Sequence, residues 1–470
     1  MKLAFVHGWS VHHTDTYGEL PEILAAQAAA LGLALDPVDI HLGRYISFRN
    51  EVRMDDVVRA FDRALRDSLG DGRGGIAPFA CITHSTGGPV VREWLMHRYG
   101  ATGLTGCPLA QLIMLAPANH GSALARLGSE RLGRIKAWAE GIQPGEKILE
   151  WLALGSTSAR SLNERWLPLV PFAGGSSFMP FVLTGQTIDK ALYDYINPYT
   201  GEAGSDGVVR VAAANLAYSW LTLRQGTTPV TMARETKNRI ATLLEYRGDL
   251  RRSHAAPLLV VPAAAHSGKK LGIMRSPKLA DAPAKPVVGA ILEAAQTRDA
   301  ATYATLAQSW SDRTVQEQTK DTDCGRHFQV IFQITDDQGF TVTDYDVILL
   351  AGPGYDPDKL PAGFFGDKQV NKQSPERITF FLNFDTMLKV PGGQFGFRVV
   401  ARPNQGFAYY APAEFRSDTR AIDHFVDPNS TLYVDIVLRR LVDQETARFG
   451  GIDGAPGEFK NAQPGGQLVD

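Results

Sequence analysis

Cysteine is scarce in this sequence of 470 residues, which contains only Cys81, Cys107 and Cys324. Three cysteines cannot form the set of bridges that holds a small disulfide-rich domain together, and their spacing matches no zinc motif. The sequence therefore excludes a disulfide scaffold and a cysteine-based metal centre. We expect buried or free thiols of the kind that a reducing compartment maintains.

Long apolar runs and a strong net charge are also missing. No uninterrupted apolar stretch approaches the roughly 18 residues that span a bilayer. The N-terminus runs straight into an apolar segment at 3–6, without the cleavage site of a signal peptide. The formal net charge of −2 gives no general attraction to nucleic acid or anionic membranes. We expect a soluble protein, cytoplasmic or exported without a cleavable signal peptide, that binds no nucleic acid; its oligomeric state is left open.

Sequence motifs for cofactors and metals are absent as well. There is no Gly-rich phosphate loop, no His-x-x-x-His pair and no Cys-x-x-Cys pair. We therefore predict no cofactor and no metal. A calcium ion held by carboxylates and carbonyls leaves too little trace in a sequence to be predicted either way.

The first 300 residues alternate short apolar segments with helical patterns, which is typical of a mostly parallel sheet covered by helices. The predicted strands are at 3–6, 79–82, 112–115, 181–183 and 258–261, and the predicted helices at 20–31, 54–69 and 87–99. These patterns predict an α/β domain over residues 1–300.

A long insertion, residues 123–180, separates two of these strands. Its apolar residues form two clusters at helical spacing: Leu124, Leu127, Ile135, Trp138 and Ile142, then Ile148, Leu149, Trp151, Leu152 and Leu154. Two interpretations are open at this point. The insertion consists of helices that pack on the core, or it forms a lid over a site.

The pattern changes after about residue 300. Residues 301–325 contain a polar stretch that predicts a linker. Alternation with period two then starts at 328–334 and returns in segments separated by Gly, Pro and Asp turns: 345–350, 378–384, 395–400 and 432–438. We predict a β-sandwich over 326–445. The Gly- and Pro-rich residues 446–470 predict a flexible tail.

The segment Thr83-His84-Ser85-Thr86-Gly87-Gly88 follows a predicted strand and opens a predicted helix, which is the context of a nucleophile elbow. Such a turn presents the Ser85 Oγ at a helix N-terminus, where free N–H groups favour negative charge. Thr83 replaces the first glycine of Gly-x-Ser-x-Gly, so the motif is imperfect. A serine that merely caps the helix is the alternative.

The loop His7-Gly8-Trp9 directly follows the first strand. In a serine hydrolase of this architecture, a loop at that place supplies one N–H group to the oxyanion hole, and the residue after the nucleophile supplies the other. We therefore predict Trp9 and Thr86 as the two oxyanion donors.

The acid that orients a catalytic histidine should follow the serine in the chain, on a loop after a later strand. Asp206 meets this requirement, and Gly204 and Gly207 beside it suit a tight loop. An ordinary turn aspartate is the alternative interpretation. Asp189 is the main rival, because it lies closer to the preceding strand.

The general base should lie in the last strand-to-helix loop of the α/β domain. His266 lies just beyond the strand at 258–261, whereas His254 precedes that strand and His120 comes too early in the chain. An exposed loop histidine is the alternative. We predict His266 as the base, which completes the order Ser, Asp, His.

Four segments together resemble bacterial lipases and phospholipases of the α/β-hydrolase superfamily: 7–8, 83–88, 116–122 (Ala-Pro-Ala-Asn-His-Gly-Ser) and 205–209. The resemblance covers about residues 1–290. It implies an α/β-hydrolase fold in which Ser85, Asp206 and His266 form the catalytic triad and 117–122 leads into a helical lid. The β-rich C-terminal half and the missing signal peptide are also similar to lipase effectors of bacterial contact-dependent secretion.

The apolar insertion favours a lipid substrate, because it has more apolar surface than a small cap needs. We therefore expect a lipase or phospholipase that works through an acyl-enzyme and touches a membrane surface transiently. A carboxylesterase or an acyltransferase on soluble esters is the alternative. The C-terminal aromatic pairs at 364–365, 380–381 and 409–410 belong to the domain core or to a protein- or membrane-binding surface.

Overall fold

A computed structural model describes residues 1–7, 16–47, 49–100, 104–127, 145–189, 202–233, 240–320, 324–402, 408–417 and 424–442. Two of the sequence predictions, the oxyanion donor Trp9 and the tail at 446–470, lie outside these residues.

The first part of the fold is a parallel sheet of six strands in the order β2-β1-β3-β4-β5-β9. Its strands are β1 (Lys2–His7), β2 (Asp36–His41), β3 (Phe79–His84), β4 (Leu109–Leu115), β5 (Met179–Thr184) and β9 (Leu258–Val260). All of these strands except the outer strand β2 are short, mostly apolar runs, because helices cover both faces of the sheet. This is the predicted α/β core.

The three predicted helices begin and end close to the predicted positions, and the described residues contain further helices that were not predicted at these bounds. The helices are α1 (Leu20–Ala30), α2 (Met54–Leu69), α3 (Gly87–Arg98), α4 (Glu146–Leu152), α5 (Thr157–Trp166), α6 (Val211–Ala214), α7 (Pro286–Gln296), α8 (Ala300–Lys320) and α9 (Phe384–Met387). Side chains of α2 and α3 pack on one face of the sheet, and those of α1, α7 and α8 pack on the other. In the described ranges, no helix combines the length and apolar character that crossing a membrane requires.

The described half of the insertion is part of the core. Ile148, Leu149, Trp151 and Leu152 on α4 are all at most 5% exposed and pack in the same cluster as α2 and α3. These side chains are therefore fixed in the interior and cannot serve as the apolar underside of a lid, in contrast to the lid prediction for 123–180. The part of the insertion with Ile135, Trp138 and Ile142 lies outside the described residues.

A second, mixed sheet of ten strands forms the β-rich part, with the ladder order β11-β14-β16-β7-β6-β17-β10-β13-β12 and β8 paired to β6. Its strands are β6 (Tyr218–Thr231), β7 (Ile240–Tyr246), β8 (Arg251–Arg252), β10 (His327–Asp336), β11 (Asp344–Ala351), β12 (Phe365–Val370), β13 (Arg377–Asn383), β14 (Phe395–Arg402), β16 (Ala413–Arg416) and β17 (Thr431–Leu438). A small separate ladder joins β15 (Ala408–Tyr409) to β18 (Leu441–Val442).

The second sheet curls so that its two halves face each other. Phe332 on β10 contacts Phe397 on β14, with ring centroids 4.9 Å apart, although four strands separate them in the ladder. The result resembles the predicted sandwich in having an enclosed core between two β layers. Of the aromatic pairs, Phe364, Phe380 and Phe381 lie in the interior, whereas Phe365 and Tyr409 are about half exposed.

The boundary between the two parts differs from the prediction. β6 and β7 precede residue 300 in the chain but lie in the middle of the second sheet, where β6 pairs in parallel with β17. The chain thus leaves the parallel sheet after β5, builds the centre of the β-rich part, and returns as β9. The β-rich part therefore includes β6 and β7 from before residue 300, and the two parts are not divided at that residue.

The predicted linker at 301–325 is largely a helix. Helix α8 continues to Lys320, and Tyr303, Trp310, Thr314 and Gln318 form a buried stripe along one side. The stripe packs against the parallel sheet, where the Thr314 Oγ1 accepts a hydrogen bond from the Val260 N–H at 3.0 Å. The helix is mostly polar because only this narrow stripe faces the interior.

Candidate active site

Ser85 lies in a tight turn between β3 and α3. Its backbone has φ +52°, in the left-handed region that costs a non-glycine residue about 1–3 kcal/mol. The Ser85 N–H donates to the carbonyl of Leu115 at 3.0 Å, which ties the turn to the end of the neighbouring strand β4. The strained turn therefore presents Ser85 at the carboxyl edge of the sheet, as the elbow motif predicts.

Two glycines after the serine make room for this turn. A Cβ at Gly88 would lie 2.8 Å from the Cβ of Pro117, and a Cβ at Gly87 would lie 3.2 Å from the Cβ of Thr83. Gly87 has no side chain that would crowd the Thr83 side chain. Threonine therefore fits at the position where the motif usually has glycine.

The structure brings Ser85, His266 and Asp206 together through their side chains. Ser85 Oγ lies 3.1 Å from His266 Nε2, and His266 Nδ1 lies 2.9 Å from Asp206 Oδ2. His266 is 2% exposed and Asp206 is fully buried. A serine hydroxyl, an imidazole and a carboxylate in this chain of hydrogen bonds can move a proton from the hydroxyl to the imidazole.

The loop of Asp206 holds the carboxylate in place. The Asp206 Oδ1 accepts hydrogen bonds from the N–H groups of Val208 at 3.0 Å and Val209 at 2.8 Å. Gly204 and Gly207 have φ of +80° and +95°, so the tight loop needs both glycines. Asp206, rather than the rival Asp189, is therefore the carboxylate that His266 contacts.

His84 supports the base from its backbone side. The His84 Nε2–H donates to the carbonyl of His266 at 2.9 Å, and the two ring centroids are 4.7 Å apart. Burial lowers the pKa of His84 to about 3, so this side chain stays neutral at working pH. His84 therefore adds a fixed hydrogen bond and no charge beside His266.

The predicted oxyanion donor Thr86 lies at the N-cap position of α3 with φ −60°. Within the described part of the chain, no acceptor takes its backbone N–H. This N–H is at the positive end of the helix dipole, which favours a developing negative charge.

The second sheet supports the loop that carries the acid. Arg210 is only 2% exposed, and its guanidinium pairs with Glu202 at 2.7 Å and with Asp367 on β12 at 2.6 Å. The same guanidinium lies 4.2 Å from the ring centroid of Phe381 on β13. The turn at 204–211 is therefore fixed by residues of the β-rich part, which the sequence does not indicate.

His120 is a second contact between the segment at 116–122 and the β-rich part, and the sequence does not indicate it. Its Nε2–H donates to the carbonyl of Asn215 at 3.0 Å, and its Nδ1 lies 2.9 Å from the hydroxyl of Tyr433. Its position in the motif at 116–122 is the only sequence signal for this role. His120 does not contact Ser85 through its side chain, so it is a positioning residue.

The solved structures that match over the full chain include two of one phospholipase. Phospholipase PlaB from Legionella pneumophila is 40% identical, covers 100% of this chain and 98% of its own, and has a TM-score of 0.86. The same phospholipase in complex with thio-NAD is 40% identical over 100% of both chains, with a TM-score of 0.83. A metagenomic carboxyl esterase, MGS0156, is 18% identical over 46% of this chain and 60% of its own, with a TM-score of 0.30, which is too low to carry an argument. Comparisons with protein-family models and with curated proteins gave no match.

The parallel sheet, the serine elbow and the full-chain matches define an α/β-hydrolase, a carboxylic-ester hydrolase with a β-rich C-terminal domain. The fold class and the resemblance to bacterial lipases and phospholipases are thereby confirmed. At 40% identity over the full chain, the protein belongs to the family of phospholipase PlaB.

Proposed function

We propose that this protein hydrolyses phospholipid esters, with Ser85 as nucleophile, His266 as general base and Asp206 as the acid that orients it. The observation that carries the proposal is the hydrogen-bond chain from the strained Ser85 through His266 to the buried Asp206. The full-chain identity of 40% to a phospholipase supports the substrate class.

The reaction proceeds in two acyl-transfer steps. His266 Nε2 takes the proton of Ser85 Oγ while the oxygen attacks the ester carbonyl, and the C=O electrons move onto the oxyanion. His266 then gives the proton to the leaving alcohol, which departs as the acyl-enzyme forms. Water, deprotonated by His266, attacks the acyl-enzyme, and His266 then returns the proton to Ser85 Oγ as the bond to the fatty acid breaks.

The oxyanion of each tetrahedral intermediate would accept hydrogen bonds from backbone N–H groups. Thr86 supplies one of them from the start of α3. Trp9 is the second donor proposed from the sequence. Removing one such donor typically costs about 3–4 kcal/mol of transition-state stabilisation.

The test is hydrolysis of phosphatidylcholine vesicles and of short- and long-chain p-nitrophenyl esters. We expect Ser85→Ala to lower kcat by about 10⁶-fold. Ser68→Ala, on the exposed side of α2, is the matched control and should retain wild-type activity. Substantial hydrolysis by Ser85→Ala would refute the assignment of the nucleophile.

The same assay separates the alternative substrates. A carboxylesterase would act on the short soluble esters and leave vesicles intact. An acyltransferase would transfer the acyl group from the acyl-enzyme to an added soluble alcohol, which gives a new ester in place of free fatty acid. Fatty-acid release from vesicles, unchanged by added alcohol, is the result expected for a phospholipase.

A nicotinamide dinucleotide is a second ligand that we propose to test, because the homologous phospholipase forms a complex with thio-NAD. Thermal unfolding of the full chain with NAD and with AMP as a control measures this directly. A concentration-dependent rise in Tm with NAD alone supports binding, and equal curves exclude it.

A further inference from the structure

Two histidines and one aspartate meet where strands β1 and β2 end. Parallel pairing places His7 opposite His41, and β2 is the outer strand of the sheet. Asp39 precedes His41 by two residues, so both side chains project from the same face of β2. Because of this register, the three side chains lie together at one corner of the sheet.

The three side chains are close enough to share one ion. One ligand atom from each lies within 4.8 Å of the other two. His7 Nε2 is 2.9 Å from Asp39 Oδ1, and the rings of His7 and His41 have centroids 4.3 Å apart. The His7 side chain is 3% exposed and that of Asp39 is 52% exposed, so the cluster is closed on one side and open to water on the other.

The second ring nitrogen of His7 is held in place. Its Nδ1 is hydrogen-bonded to the hydroxyl of Thr16. In the structure, the Nε2–H of His7 donates to Asp39. Metal binding would replace this proton, and Nδ1–H would then donate to the Thr16 hydroxyl while the lone pair of Nε2 binds the ion. Metal-binding histidines usually have their other nitrogen fixed in this way, because it sets the tautomer and the ring orientation.

We propose that His7, Asp39 and His41 bind a divalent transition-metal ion, with Zn²⁺ as the best fit and water as the fourth ligand. Two imidazole nitrogens and one carboxylate oxygen form a typical zinc ligand set, whereas Ca²⁺ and Mg²⁺ prefer oxygen ligands. Ligands of a tetrahedral zinc lie roughly 3.3 Å apart, given bonds of about 2.0–2.1 Å. The separation between His7 and Asp39 would widen by about 0.4 Å, which side-chain rotation allows.

The ion would stabilise the sheet corner and would take no part in the proton transfers. It would join the end of β1 to the outer strand β2. β1 pairs on its other side with β3, which ends at the Ser85 turn, and it leads directly into residues 8–15, where Trp9 is the proposed oxyanion donor. The ion would therefore anchor the start of that loop.

The test measures metal binding by the full chain after treatment with a chelator and dialysis. Isothermal titration with Zn²⁺ should give one strongly bound ion per chain, and Co²⁺ in its place should show the visible absorption of four-coordinate cobalt. His41→Ala and Asp39→Asn should each weaken binding by at least about 100-fold, because each removes one ligand. Both side chains are partly exposed at a sheet edge, so the variants should fold, which circular dichroism checks.

Two further variants serve as controls. His254→Ala removes an exposed histidine elsewhere and should bind Zn²⁺ as the wild type does. Ser85→Ala should also bind normally, since the ion is separate from the catalytic groups. The proposal is overturned if the wild type binds no stoichiometric Zn²⁺, or if the affinity survives in both His41→Ala and Asp39→Asn.

Discussion

The hydroxyl of Tyr433 donates a hydrogen bond of 2.9 Å to Nδ1 of His120, although 313 residues separate the two in the chain. Tyr433 is on β17, in the centre of the second sheet, and its hydroxyl also accepts from Asn163 Nδ2 at 3.0 Å. His120 follows Ala118, whose N–H is 3.4 Å from the carbonyl of Ser85. One buried hydroxyl thus connects the β-rich part to the segment beside the nucleophile.

Tyr433→Phe removes this hydroxyl without changing the ring. The buried Nδ1 of His120 and the Asn163 amide would each lose a partner, so we expect the free energy of unfolding to fall by about 1–3 kcal/mol. Urea unfolding measures the loss. Tyr409→Phe, at a tyrosine that is 51% exposed, is the control and should change stability by less than about 0.5 kcal/mol. Equal stability of the two variants would contradict the role given to Tyr433.

Acid should destabilise the fold through His120. Its pKa is lowered from 6.5 to about 3, first by burial and then by the charge of Arg92, while the hydrogen bond to Asn215 acts in the opposite direction. Tyr433 and Tyr218, which also face the ring, are neutral in this range. Between pH 6.5 and 3, His120 binds a proton in the unfolded chain but not in the folded protein. The contribution of neutral His120 to the free energy of unfolding is therefore complete above pH 6.5 and declines as the pH falls below it.

The expected loss from His120 is about 2 kcal/mol between pH 7 and pH 5. Urea unfolding at the two pH values measures it in the wild type and in His120→Gln, which cannot take up the proton. The variant is less stable at pH 7 but should lose about 2 kcal/mol less on acidification. If both proteins lose the same amount, another group is responsible for the acid sensitivity.

Arg210 should be essential to the loop of Asp206, the proposed catalytic acid. Arg210→Met leaves the carboxylates of Glu202 and Asp367, which are only 13% and 15% exposed, without their cation. Removing one partner of a buried ion pair typically costs about 3–5 kcal/mol, which sets the upper end of the expected loss. We expect a lower Tm and a lower kcat with little change in KM, because the Asp206 loop loses its support. Arg402→Met breaks an exposed pair instead and should cost less than about 1 kcal/mol. A normal kcat in Arg210→Met would show that the loop is stable without the ion pairs.

Asp206→Asn should lower kcat by about 10⁴-fold, because an amide cannot hold the imidazole in the tautomer that accepts a proton from Ser85. Asp189→Asn is the matched control, since Asp189 is the other carboxylate that the sequence offers for this role. Its activity should stay within a few-fold of the wild type. Steady-state kinetics on one ester substrate compare the two, and a larger loss in Asp189→Asn would reverse the assignment.

Local sequence patterns predict five of the six strands of the parallel sheet because each of these has its own apolar run. The outer strand β2 is missed because most of its residues are polar or exposed. The apolar run before Ser85, the glycines after it and the loop glycines around Asp206 all have local physical causes. For the same reason the sequence distinguishes His266 from His254, since the order of strand and loop decides which end of the sheet a residue reaches.

Contacts between distant segments are not visible in this way. Strands β6 and β7 pair with each other, but their other partners follow far later in the chain. The partner of β6 is β17, 213 residues on, and that of β7 is β16, 171 residues on, and no local pattern indicates either pairing. Helix α8 is misread as a linker because its buried stripe, from Tyr303 to Gln318, takes up only one residue in about four. The ion pairs of Arg210 with Glu202 and Asp367 likewise depend on tertiary packing.

Strand β17 lies between β6 and β10 in the second sheet, and this position limits how early the protein can fold during synthesis on the ribosome. The residues of the proposed triad are all synthesised by position 266, but the strand that completes the second sheet is made only at Thr431–Leu438. Domains usually fold as their residues emerge. Here the first half must wait for the last strand, so a nascent or prematurely terminated chain would hold every catalytic side chain and still be inactive.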